Sequence, residues 1–130
     1  NVSRESGKKE GIGMNATARK MTKVIDELIV FFISAGSDGV RMNLEKQQDG
    51  YELSLESNYD PAQRKKIDDL DRFFNNAQRN EGLEEFFWQL AGVSGLGQDT
   101  ELHLIGQMVE CRKLEIRDDS VSLVLYKARE

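Results

Sequence analysis

Apolar positions first recur at helical spacing. Met14, Ala18, Met21, Ile25, Leu28 and Phe32 are separated by four, three, four, three and four residues, with Ile29 and Ile33 beside them. This is one face of an amphipathic helix. Asn15 or Thr17 is suited to cap its start, and Gly36 and Gly39 stop it. Leu28 to Ile33 is apolar nearly all round, which predicts that the last two turns are buried on several sides. The period then changes to two. Val40, Met42 and Leu44 alternate with polar residues, as do Tyr51, Leu53 and Leu55, and an Asp49-Gly50 turn signal lies between the runs. An antiparallel hairpin with one packed face follows.

Helical spacing returns after Asp60-Pro61, which reads as a cap followed by the first helical residue. Ile67, Leu70, Phe73, Phe74 and Ala77 form a second stripe. Leu83, Phe86, Phe87, Leu90 and Ala91 form a third, after a break at Asn80-Glu81-Gly82. A glycine-rich loop, Gly92 to Gly97, leads to a fourth helix capped by Asp99 or Thr100, with Leu102, Ile105, Met108 and Val109 on its face and Cys111 at its end. Leu114 and Ile116 start a short strand, Asp118-Asp119-Ser120 turns the chain, and Val121, Leu123 and Leu125 form the last strand. Grouped rather than alternating strands and helices predict an α+β two-layer sandwich, helices on one face of a sheet. Residues 1–13 read as a flexible tail and 14–130 as a single domain.

Composition narrows the chemistry. The single cysteine, Cys111, excludes an intramolecular disulfide, and the single histidine, His103, makes a histidine-dependent triad a poor fit. Both read as structural. The longest apolar run has six residues, against about 20 for a membrane span, and the N-terminus lacks the apolar core of a signal peptide. A cytoplasmic protein without membrane contact is expected. Formal charge is −5; residues 1–23 carry six basic and two acidic groups, which leaves −9 for the rest. An acidic body repels phosphate backbones, so no nucleic-acid partner is expected. Arg64-Lys65-Lys66 near Asp68, Asp69 and Asp71 reads as an ion-paired helix surface. Trp88, beside Phe86 and Phe87, is a candidate exposed aromatic of an interaction surface.

Gly92-Val93-Ser94-Gly95-Leu96-Gly97 presents a G-x-x-G-x-G pattern ahead of a helix, an arrangement whose backbone N–H groups suit phosphate. With Leu102 to Glu110, it resembles the second glycine box and following helix of the histidine-kinase-type (GHKL, Bergerat-fold) ATPase domains, with four residues, Gln98 to Glu101, intervening. Leu70 to Phe74 resembles that family's phenylalanine box. The resemblance spans about residues 15–127 and implies helices on one face of a mixed sheet. It also implies a degenerate nucleotide site. Phe31 stands where the family has its magnesium-chelating Asn, and Val30 at the neighbouring acidic position. Ser57 replaces the adenine-binding Asp, and Tyr59 and Pro61 replace two glycines, while Asn58 is retained. Phenylalanine offers no oxygen to Mg²⁺. Each lost charge-assisted bond is worth about 1.5–3 kcal/mol, so two or three losses remove several powers of ten in affinity.

The resemblance thus implies a non-catalytic regulatory or protein-interaction module in bacterial signalling. Its partner would be a signalling protein or sigma-factor-type regulator, a homodimer would be compatible, and no metal or cofactor is expected. One alternative is a divergent ATP-binding domain or anti-sigma-like serine kinase, holding ATP and Mg²⁺ through Asn58, Gly92, Ser94, Gly95 and Gly97. Another is a small-ligand sensor using a repurposed pocket lined by Phe31 and Tyr59.

Overall fold

Asn15 starts the first helix by accepting the Ala18 N–H on its side-chain oxygen at 2.8 Å, which satisfies one orphan donor of the first turn. The computed structural model describes residues 15–75, 102 and 105–129. Helix α1 spans Ala16–Ser34 and buries Thr17, Lys20, Met21, Val24, Leu28, Phe31 and Phe32, a stripe along one side. Gly36 ends it in the left-handed region at φ 84°, where a side chain is strained. A Cβ there would also lie 2.6 Å from the Asp60 Cβ.

Strand β1 (Val40–Gln47) and strand β2 (Gly50–Asn58) form the first hairpin, and β3 (Glu110–Ile116) and β4 (Ser120–Ala128) the second. Both hairpins share one sheet in the order β1-β2-β4-β3. The four described strands are antiparallel throughout, whereas the resemblance implies a mixed sheet. The central β2–β4 pair runs without interruption from Gly50↔Ala128 to Asn58↔Ser120. Leu53, Leu55, Val121, Leu123 and Leu125 are buried on its helix side.

Asp60 accepts the Ala62 N–H on its side chain at 3.0 Å and caps a short 3₁₀ turn, Pro61–Gln63, that leads into helix α2 (Arg64–Asn75). Ile67, Leu70, Phe73 and Phe74 are its buried residues. Helix α1 lies over β2 and β4, and α2 against β3. The described architecture is therefore α+β, with helices on one face of an antiparallel sheet. No described helix is long and apolar enough to cross a membrane.

Three expectations change. The end of α1 is buried on one side only: Leu28, Phe31 and Phe32 are buried, but Ile29, Val30 and Ile33 are exposed, Ile33 to 63%. A single layer lies under this helix among the described residues, so apolar groups turned away from it stay uncovered. The β1–β2 turn is Gln48-Asp49, flanked by the pair Gln47↔Gly50. Gly50 belongs to β2 and has no positive φ. It is needed because a Cβ would collide with the Lys127 carbonyl and the Tyr126 side chain. The segment after Ile105 leaves the helix early: Gln107 and Met108 turn, and β3 begins at Glu110. Cys111 therefore lies in a strand. The third stripe with Phe86, Phe87 and Trp88, the tail at 1–13, the glycine loop and His103 fall outside the described residues.

Truncating the core should be costly. Phe32→Ala removes a fully buried ring that meets Phe31 edge-on at 5.3 Å. We expect a loss of about 3–5 kcal/mol in urea unfolding, and about 2–5 kcal/mol for Leu123→Ala.

Candidate functional site

The β2 end, the α1–β1 loop and the start of β4 meet around an open cleft of about 420 Å³. Its walls include Asp38, Arg41, Glu56, Ser57, Asn58 and Ser120. Alternation along β2 turns Ser57 towards the helices and Glu56 and Asn58 away from them. The structure thus brings together two of the positions singled out by the sequence, Ser57 and Asn58.

Their polar atoms are engaged within the protein. The Ser57 and Ser37 hydroxyls lie 2.8 Å apart, and the Ser57 hydroxyl also reaches the Asn58 carbonyl oxygen at 2.8 Å. The Asn58 side-chain oxygen accepts the Asp38 N–H at 2.8 Å and the Ser37 hydroxyl at 3.1 Å. The Gly39 N–H donates to the Ser37 hydroxyl oxygen at 3.1 Å. This network fastens the α1–β1 loop to the end of β2. Beside it, the Asp60 N–H donates to the Ala35 carbonyl at 3.0 Å. Every buried side-chain nitrogen or oxygen among the described residues has a partner.

The other singled-out positions lead elsewhere. Phe31 is buried in the seam between the helices, edge-on to Phe32 and to Phe73, whose ring centroid is 6.2 Å away. The Lys66 ammonium sits 5.0 Å from its centroid. Tyr59 is buried, and its hydroxyl donates to the Arg117 carbonyl on the β3–β4 turn. Pro61 opens the 3₁₀ turn. Gly92, Ser94, Gly95 and Gly97 lie outside the described residues. No group of three or more His, Cys, Asp or Glu side chains among the described residues is placed to hold a metal.

Comparison with protein-family models, curated proteins and solved structures finds no match for this chain.

On the outer side of the sheet, polar residues interlock. The Arg117 guanidinium donates to Glu115 at 2.9 Å and to Ser120 at 3.0 Å, and also to the Ser122 hydroxyl, which in turn donates to Glu56. The Ser122 hydroxyl, helped by Arg117, Lys113 and Arg41, holds the Glu56 carboxyl below the usual glutamate value. The Tyr126 hydroxyl donates to Asp49 at 2.7 Å and likewise lowers that carboxyl. The Arg112 guanidinium lies 3.8 Å from the Tyr126 ring centroid and 3.4 Å from Glu52. Burial, above all, pushes the Cys111 thiol up, away from the reactive thiolate.

Ser37, Asp38 and Arg117 are the partners that sequence reading missed. The signal for the first two was a Ser-Asp-Gly run after a helix end, a composition that favours side-chain bonds to nearby backbone. Nothing local identified Arg117.

Two measurements probe these contacts. Asn58→Ala should lower stability by about 0.5–1.5 kcal/mol and reduce hydrogen-exchange protection of the Asp38 amide. A carboxyl whose pKa is lowered by folding, as that of Glu56 is, stabilises above its unfolded value and loses that contribution as pH falls through the folded value. Ser122→Ala removes the main cause. The drop in urea midpoint between about pH 7 and about pH 3 should therefore be smaller in the variant than in the wild type.

Proposed function

We propose that this chain is a non-catalytic protein-interaction or regulatory module, built on the histidine-kinase-type ATPase plan with its nucleotide position closed. The observation that carries this reading is the burial of Phe31 against Phe32 and Phe73. On the resemblance, that position must grip magnesium on a triphosphate. A hydrocarbon ring packed in a helix seam supplies no ligand oxygen and leaves no room for one.

Ser57 and Asn58 support the same reading. A nucleotide site keeps donors and acceptors available to the ligand, whereas these two side chains hold the α1–β1 loop. Phe31 and Tyr59 are enclosed by protein, so neither offers its ring as the lining of a small-ligand pocket. On this reading the chain acts in the cytoplasm through a protein partner of signalling type, needs no cofactor and transfers no phosphoryl group.

Calorimetric titration with Mg-ATP and with ADP tests the proposal. We expect no binding heat and no thermal shift at millimolar nucleotide. Micromolar, magnesium-dependent binding would overturn it.

A further inference from the structure

We propose that the chain forms a two-fold homodimer by antiparallel pairing of β1 with β1 of a second copy, Asn43 opposite Asn43. The inference names one partner for the module described above but rests only on β1 and α1. Nucleotide binding would leave it standing, and a monomer would leave the reading of Phe31 untouched.

The two edges of the sheet differ. The β3 edge is interrupted between Cys111 and Lys113, and such bulges protect an edge from further pairing. β1 is eight residues long, has no proline and keeps unbroken register with β2. Among the described residues no strand pairs with its outer side. Such an edge accepts another strand.

An apolar groove of about 510 Å³ runs along this edge on the helix side. Ile25, Ile29 and Ile33 of α1 form one wall, and Val40 and Met42 of β1 form the floor. Leu44 continues the same face of β1. Ile29, Ile33 and Leu44 are three of the four exposed large hydrophobics among the described residues. A two-fold axis perpendicular to the sheet places both α1 helices on the same face, so their overhanging stripes meet above the new β1–β1 seam.

Charge selects a second copy as the occupant, and selects the register. Pairing about Asn43 sets Arg41 opposite Glu45 of the other copy, twice. It sets Met42 opposite Leu44 and Val40 opposite Lys46. Centring on Arg41 or Glu45 instead sets like charges face to face, and centring on Met42 or Leu44 places no carboxylate of the second copy opposite Arg41, which within its own chain faces Glu56. Opposite-charge and apolar cross-strand pairs stabilise, and like charges directly opposite destabilise. Within one chain Glu45 stands opposite Glu52, a like-charge pair that the second copy's Arg41 would relieve.

Sedimentation of the full chain tests the proposal. The wild type is expected at twice the 14.8 kDa chain mass. Arg41→Glu and Glu45→Arg should each weaken association at least about tenfold, and the double reversal R41E/E45R should restore it. Ile33→Lys, at a position exposed in the single chain, should give a monomer with an unchanged far-ultraviolet circular dichroism spectrum. A monomeric wild type at sub-millimolar concentration overturns the proposal. So does a dimer that both single reversals leave intact, or one that the double reversal fails to rescue.

Discussion

The pairing of β2 with β4 is the contact on which the rest depends. It joins nine residues of one hairpin to nine of the other without a break, across a long stretch of intervening chain. Its inner side carries Leu53, Leu55, Val121, Leu123 and Leu125, on which the helices settle. Its outer side carries Glu52, Glu56, Ser122 and Tyr126, which anchor the polar lattice through Arg112 and Arg117. Slipping this register by one residue would exchange the two sets and bury the carboxylates. Hydrophobic burial and polar satisfaction therefore select the same alignment. Because the contact is non-local, it is also a step that costs loop-closure entropy before it is rewarded.

That central pair explains what happens at both ends of the sheet. At one end, the β1–β2 turn is locked onto β4 by the Tyr126–Asp49 hydrogen bond and by the Arg129 N–H on the Asp49 carbonyl at 2.8 Å. At the other, Ser57 and Asn58 hold the α1–β1 loop while Tyr59 reaches the β3–β4 turn. Both hairpin turns and the helix end are thereby tied to two adjacent strands. The polar groups at these joints hold the loop and the turns in place.

The hairpins were legible because alternation reports directly which residues share a face. Asp60-Pro61 was legible because cap and φ preference are local. Alternation does not say whether a strand is central or at an edge, which is why Leu44 and Leu53, opposite each other in register, differ from exposed to buried. Helical periodicity likewise marks an apolar surface without saying how many layers cover it. Ile29 and Ile33 looked like core for that reason. Gly50 pointed to a turn, but its cause is the Tyr126 side chain, distant in sequence and invisible to a local reading. Periodicity puts Cys111 at a helix end because the apolar run through Val109 continues past the point where the chain turns. Of the candidate site, the residue types at Phe31, Ser57, Asn58 and Tyr59 could be read directly. The hydrogen bonds made by Ser37, Asp38 and Arg117 required three dimensions.

One apolar run connects the two proposals. Leu28 to Ile33 has two sides: Phe31 and Phe32 turn inward, and Ile29 and Ile33 turn out over β1. Burying a phenylalanine side chain contributes about 1.5–3 kcal/mol, and an edge-on aromatic pair about 0.5–1.5 kcal/mol more. A polar side chain kept ready for a metal at the same place would carry a desolvation penalty instead. At a buried position, stability therefore favours the ring. The outward residues gain nothing from that exchange while the chain is alone, since they remain in water. A second copy laid along β1 would turn their exposure into buried area. The inner side of this helix end serves the fold; in the dimer proposed above, the outer side would serve association.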